Sequence, residues 1–391
     1  MSEDQYLGNL YQKFPVVIEK GLGSHVWDSN GKEYIDCMGG YGVALVGHRN
    51  ERVVNAIKSQ IEKIITVHSS LYSKTREEFL ENLFKIAPKG LTQVHLNNSG
   101  AESVEAAIKF ARKFTGKKGM IAMKGSYHGK SMGALSLTFN PKYRESFKPL
   151  VEGVKFSPYG DLDALRDSID EDTAFIILEP IQGESGIRVP PDGFLQGVRK
   201  ICDENDILLI FDEIQSGLGR TGRMWASEHW ETAPDIMCLA KGIAGGIPMG
   251  ATLVKSDILS VMKKGEHSST FGGNPVSCAA GTATIQALTQ DNLLKNAEMM
   301  GEKLFQGLTE LKSKHSIIRE VRGKGLMIGV ELKFEVKDIL LEGIKNGLLL
   351  LYSGRNILRF LPPLVISDED VTNTLQILDK LLTNEEGRKN V

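Results

Sequence analysis

From Gln93 onward the chain alternates short, continuous apolar runs with amphipathic helical stretches, and few architectures accept that order. VHLNNSG precedes the helical pattern AESVEAAIKFARKF, in which Val104, Ala107, Ile108 and Ala111 recur at i, i+3, i+4 and i+7. GMIAMKG, TAFIILEP and DILLIFDE are further apolar runs of strand length, the last following the helical GFLQGVRKICDEN. PDIMCLAKG and GATLVKS continue the series. Strands covered on both faces read as unbroken apolar runs, and helices between them supply the crossovers. The pattern predicts an α/β unit built on a mainly parallel sheet.

What surrounds that stretch differs in texture. VWDSNGKEYIDC, from Val26 to Cys37, predicts two short strands around an Asn30-Gly31 turn. Glu51 to Lys63 predicts a helix, with Val53, Val54, Ile57, Ile61 and Ile64 close to helical period. A long helical stretch begins near Pro275. After His315 come a strand in VRGKGLMIGVEL, strands in LLLLYSGRNILRFLPPL, and a final helix with Asp368 as its cap. A chain of 391 residues is long for one core. The expected division is a large domain over 49–314 and a small α+β domain over 315–391, which the N-terminal segment 1–48 joins.

Charge and cysteine usage exclude several function classes. Lys plus Arg number 47 against 49 Asp plus Glu, a net charge of −2, which argues against non-specific nucleic-acid binding. The four cysteines, Cys37, Cys202, Cys238 and Cys278, are scattered with no CxxC pair, so buried free thiols are expected and no metal site. The first residues lack a basic segment followed by an apolar one, and runs such as Leu348 to Tyr352 are far short of a membrane span. A cytoplasmic protein without membrane partners is the expectation.

In α/β sheets, ligands bind beyond the carboxyl ends of the strands, so the polar residues that end apolar runs are the candidates. Five such places stand out: Asn98 to Ala101, Gly125 to His128, Glu179-Pro180, Asp212-Glu213 and Lys241-Gly242. Ser99, Gly100 and Ala101 open the clearest helix, where free N–H groups and the helix dipole favour a phosphate. A plain helix cap is the alternative. Tyr127 is placed to stack on a flat ring, or simply to pack. Asp212 ends ILLIFD, where a carboxylate needs a partner such as a protonated ring nitrogen, or a salt bridge. Lys241 ends IMCLA; an enclosed lysine has a lowered pKa and attacks carbonyls as a free amine, whereas most lysines reach out to solvent. Together these sites ask for a phosphate, a planar ring, a ring nitrogen and an aldehyde. Gly217 to Gly222 also matches GxGxxG after a strand. It lies past the midpoint of the chain, however, and no acidic strand end follows about 20 residues on, as a dinucleotide site needs.

With those residues in view, the chain resembles the class-III aminotransferases, of fold-type I among pyridoxal-phosphate enzymes. The motifs are NSGAESVEAAIK, GSYHGKS, ILEPIQGESG, LLIFDEIQSGLGRTG, DIMCLAKGIAGGIPMGA, SSTFGGNP and RFLPPL. The resemblance implies a seven-stranded sheet in the large domain, pyridoxal 5'-phosphate as cofactor, and a homodimer with shared active sites. It implies Lys241 as the Schiff-base lysine and proton shuttle, and Asp212 at the pyridine nitrogen. Gln215 would approach the ring hydroxyl, Ile214 would pack beneath the ring opposite Tyr127, and Glu213 joins the cofactor-binding set. Gly100 and Ala101 would bind the phosphate with Thr270 of the second subunit.

For the substrate, the resemblance implies Arg359 on the α-carboxylate of glutamate, Glu184 neutralising that arginine when a terminal amine occupies the site, Lys130 at the far end, and Ser269 in the substrate-binding set. Acetylornithine-type enzymes read HGR where this chain reads His128-Gly129-Lys130. Lysine keeps the charge but loses the planar fork. SGAE in place of SGTE removes a hydroxyl near the phosphate. The expected reaction is amino transfer between glutamate/2-oxoglutarate and the terminal aldehyde or amine of an N-blocked substrate in lysine or arginine biosynthesis. A substrate borne on an acidic amino-group carrier protein (LysW type) is favoured. Acetylornithine, then ornithine or 4-aminobutyrate, are the alternatives.

Overall fold

Fifteen strands in three sheets organise residues 2–389, the part of the chain that the computed structural model describes. In chain order they are β1 (Ile18–Leu22), β2 (His25–Asp28), β3 (Glu33–Asp36), β4 (Gln93–Asn97), β5 (Gly119–Met123), β6 (Val154–Ser157), β7 (Thr173–Leu178) and β8 (Leu208–Asp212). There follow β9 (Ile236–Leu239), β10 (Gly250–Val254), β11 (Ile318–Lys324), β12 (Met327–Leu332), β13 (Leu348–Leu349), β14 (Leu351–Ser353) and β15 (Ile357–Phe360).

The central sheet has seven strands in the order β4-β10-β9-β8-β7-β5-β6. Every residue of β7 is buried, as a strand sandwiched between two layers requires. The pleat sends its side chains to both layers. Phe175 and Ile177 pack with Val104, Ala107 and Ile108 of the helix Gly100–Thr115. Ile176 and Leu178 pack with Leu195, Val198 and Ile201 of the helix Phe194–Glu204. The mainly parallel α/β sheet expected of the apolar runs is present, with two corrections. β10 runs antiparallel to both β9 and β4. Only Ala240 to Met249 separate β9 from β10, too few for the crossover that a parallel return needs. The seventh strand, β6, was not among the runs read as strands, because at the sheet edge Val154 to Ser157 are mostly part-exposed and include Lys155.

The Asn30-Gly31 hairpin forms, with Asp28 Oδ1 accepting the N–H groups of Asn30 and Lys32. The helix Glu51–Ile61 is capped by Asn50, whose side chain accepts from Val53 N–H. VRGKGLMIGVEL is two antiparallel strands, β11 and β12, not one: Gly325, at φ +53°, turns the chain between them. β13 pairs in parallel with β3, so residues near position 350 complete the N-terminal sheet. The last helix, Asp368–Lys389, is capped by Ser367 rather than Asp368: Asp370 N–H donates to Ser367 Oγ, and Ser367 N–H donates to Asp370 Oδ2. All four cysteines are free and buried, and burial pushes Cys37, Cys202 and Cys278 up to about 12. Among the described residues no helix is long and apolar enough to cross a membrane.

Candidate active site

Because β10 is antiparallel to both neighbours, β4 points the same way as β9, β8, β7 and β5. Their five carboxyl ends therefore converge, and a cleft of about 520 Å³ opens there. Gly100, Ala101, Tyr127, Lys130, Glu184, Asp212, Ile214, Gln215 and Lys241 all line it.

At one end, Ser99 caps the helix Gly100–Thr115. Its hydroxyl accepts from Glu102 N–H at 3.2 Å, while Glu102 Oε2 accepts Asn98 N–H at 2.8 Å. Those bonds spare the first N–H groups of the helix, which point into the cleft as an anion site. Gly100 also has a close neighbour. A Cβ there would lie 2.8 Å from Ile214 Cδ1 and 3.2 Å from Ile214 Cγ2, so the helix start packs directly on the residue proposed to floor the ring.

Asp212 is buried, and its two oxygens are oriented separately. Oδ1 accepts Ile214 N–H at 3.1 Å; Oδ2 meets His128 Nδ1 at 2.7 Å. Glu179 lies beside them, its oxygens accepting Tyr127 N–H at 3.0 Å and Gly183 N–H at 2.9 Å. Burial lifts Glu179 to about 7, with His128 opposing and Asp212 adding to the rise. Burial and the Glu184 carboxylate lift the Tyr127 phenol to about 12. Lys241 follows β9 in a tight turn at φ +47°, and burial lowers its pKa although Glu184 and Asp212 pull the other way. A free amine is the form that burial favours there.

Across the cleft, Glu184 Oε1 pairs with Arg359 Nη1 at 2.7 Å. Arg359 is wholly buried and also donates to the carbonyls of Tyr352 (3.1 Å) and Gly183 (3.3 Å). Burial works to raise Glu184, but Arg359 and Lys241 prevail and hold it below the usual carboxylate range.

Three expected site residues lie elsewhere in the chain's own structure. The Glu213 carboxylate turns away from the cleft, accepting from Ser216 Oγ at 2.6 Å and Ser227 N–H at 2.8 Å, because neighbours on a strand end face opposite ways. Ser269 sits in an adjoining depression and its hydroxyl bonds Asn98 Nδ2 and Gly272 N–H. Thr270 is exposed and outside this cleft. Two residues with no assigned role, His128 and Glu179, turn out to hold the site together. Both end apolar runs, the signal that picked out Asp212 and Lys241. The Gly217–Gly222 loop has a structural role: Arg220, fully buried, donates from Nη1 to the carbonyls of Leu326 and Pro362 and ties this loop to the C-terminal strands.

The donor set fits pyridoxal phosphate. Gln215 Oε1 is buried with no hydrogen-bond partner among the described residues, an acceptor suited to a ring hydroxyl. Asp212 retains accepting capacity for a ring N–H, and Gly100 and Ile214 both line the cleft.

Comparison with known proteins agrees. The class-III aminotransferase family pattern matches residues 6–382. An acetylornithine aminotransferase of Methanopyrus kandleri is 45% identical, with 95% of each chain covered. A [LysW]-aminoadipate semialdehyde transaminase of Deinococcus radiodurans is 43% identical over 99% of this chain and 91% of its own. The ornithine aminotransferase structure from Toxoplasma gondii superposes with a TM-score of 0.95 at 33% identity, covering 99% of this chain and 95% of that one. Fold and site thus define a fold-type I pyridoxal-phosphate transferase. Within that class, the chain belongs to the class-III aminotransferases.

Proposed function

We propose that this aminotransferase moves an amino group between glutamate/2-oxoglutarate and the terminal amine or aldehyde of an N-blocked substrate. A substrate borne on an amino-group carrier protein is favoured, working in the cytoplasm in lysine or arginine biosynthesis. The observation that carries the reading is the Glu184–Arg359 pair facing Lys241. A terminal amine brings no carboxylate to the reacting centre, and Glu184 keeps the buried guanidinium neutralised while it reacts. Glutamate brings its α-carboxylate, and a bidentate fork then favours Arg359 over a lone ammonium. Glu184 is partly exposed, whereas Arg359 is wholly buried and anchored by two carbonyls.

Bound pyridoxal phosphate supplies an aldehyde for amine exchange and a ring that withdraws electrons from the substrate carbon. The chain supplies the rest. Lys241 Nζ, whose pKa burial lowers, would take the proton from the carbon bearing the substrate nitrogen and return it one step later. Asp212, fixed by His128 and Ile214, would hold the ring nitrogen protonated. Gly100 and Ala101 hold the phosphate.

Lys130, at the exposed end of the cleft, would meet the distal part of the substrate. Relatives named for acetylornithine and for LysW-borne substrates stand at 45% and 43% identity, so acetylornithine is the second reading. A homodimer is part of the proposal. Thr270 is exposed beside Phe271, and Ile61, Ile64, Ile65, Leu71 and Tyr72 expose apolar surface in the same single chain. Steady-state kcat/KM values for carrier-linked lysine, acetylornithine, free ornithine and 4-aminobutyrate test the reading. It expects the N-blocked amines to lead, and strong preference for free 4-aminobutyrate would overturn it.

A further inference from the structure

Lys130 has a fixed main chain and a free charge. On one side, Gly129 lies at φ +133°, and a Cβ there would come within 3.0 Å of the Ala101 and Ala134 side chains, so the backbone rests against the phosphate-end helix. On the other, Ser131 Oγ donates to Glu105 Oε1 at 2.6 Å, and that oxygen also accepts the N–H groups of Gly133 and Ala134. The Lys130 ammonium meets no carboxylate among the described residues. Its Nζ lies 5.2 Å from the centroid of the Tyr143 ring.

Tyr143 is itself well held. It belongs to the turn Pro141–Arg144, capped by Asn140, whose side chain accepts Lys142 N–H. The next residue, Arg144, sets its guanidinium 4.7 Å over Phe156, which in turn meets Phe139 edge-on. Tyr143 meets Tyr127 edge-on, with centroids 5.9 Å apart and planes at 80°. A line of contacts therefore runs from Tyr127, beside the cofactor position, through Tyr143 to Lys130. Burial and the Glu184 carboxylate raise the Tyr143 phenol, which keeps this ring neutral.

We infer that Tyr143 is a positioning residue for substrate specificity: its ring face holds the Lys130 ammonium where it meets the carboxylate at the far end of an ω-amino substrate. The face of a tyrosine ring attracts a cation, and Lys130 has a flexible stem and no planar fork of its own. The ring supplies the restraint that a guanidinium carries in its own geometry. This rests on the reading that the reacting amine is terminal.

The test compares N-acetylornithine with N-acetylputrescine, the same blocked amine without its carboxylate. Tyr143→Leu is expected to raise KM for N-acetylornithine about five- to tenfold with kcat little changed, and to leave N-acetylputrescine unaffected. Tyr143→Phe keeps the ring and the wild-type KM. Lys130→Met raises the same KM, and adding Tyr143→Leu to it changes nothing further. Tyr143→Met replaces the leucine variant if that one folds poorly. Equal losses on both substrates, a phenylalanine variant as impaired as leucine, or additive effects with Lys130→Met would overturn the inference. If the wild type turns over neither N-acetyl compound, acetylornithine fails as the substrate. The inference is then decided separately, on ornithine against putrescine and 4-aminobutyrate against propylamine, by the same criteria.

Discussion

Asp212 and His128 meet inside the protein, Oδ2 to Nδ1 at 2.7 Å, with neither side chain open to solvent. The remaining ring nitrogen, His128 Nε2, is buried without a partner among the described residues. The contact therefore serves Asp212. It fixes the carboxylate plane before any cofactor arrives.

Removing that partner leaves a buried carboxylate with one oxygen unsupported. His128→Leu should cost the cofactor-free protein about 2 kcal/mol, the usual penalty for a lost buried hydrogen bond to a charged group. It should also weaken retention of pyridoxal phosphate. Urea denaturation and dialysis measure the two effects; unchanged values in both would count against the assignment.

Glu179 makes stability depend on pH. Its folded-state pKa of about 7 stands above the ordinary value of 4.5, so between those limits the folded protein holds a proton that the unfolded chain has lost. Stability is fully present below 4.5 and is lost as pH rises through 7. The denaturation midpoint of the cofactor-free protein should fall between about pH 5 and about pH 7.5, and Glu179→Gln should flatten that decline whatever its absolute stability. Parallel curves for the two proteins would contradict this.

The Gly100–Ile214 contact predicts a paired effect. Gly100→Ala places a methyl group 2.8 Å from Ile214 Cδ1 and 3.2 Å from its Cγ2, so the Ile214 side chain must shift. Overpacking of this kind costs about 1–3 kcal/mol, which should appear as roughly a ten- to hundredfold weaker cofactor Kd. Ile214→Val removes the offending carbon and should recover much of the loss in the double variant. No recovery would mean that Gly100 is needed only for backbone approach.

Much of this was legible before the fold, for identifiable reasons. β7, β8 and β9 are buried on both faces, so apolarity alone marked them. β6 lies at the edge, and its exposed Lys155 hid it. The direction of β10 depends on the length of its connection rather than on its own composition. Asp212, Lys241, Tyr127 and Gly100 were visible because polar residues and glycines ending apolar runs have few structural reasons to be there. The roles of His128 and Glu179 were not, because each depends on a partner more than 50 positions away. Glu213 was read into the set through its adjacency to Asp212, while its carboxylate turns to Ser216 and Ser227 instead of lining the cleft.

Glu184 should divide the two substrates. With Glu184→Ala, Arg359 loses its carboxylate partner and stands ready for the α-carboxylate of glutamate. KM for glutamate should fall about tenfold, in line with a charged hydrogen bond no longer to be broken, while the terminal-amine substrate loses a similar factor in kcat/KM. Steady-state kinetics in both directions check it. Equal changes for both substrates would assign the pair a purely structural role.

On the proposed reaction, Lys241 moves the proton by which glutamate gives up its amino group in this cleft. Its most direct test is the amount of 2-oxoglutarate released when the purified, cofactor-loaded protein is mixed with glutamate and no acceptor. The account predicts about one equivalent per subunit for the wild type, one half-reaction's worth, and none from Lys241→Ala on the same timescale. No release by the wild type, or equal release by both proteins, would contradict it.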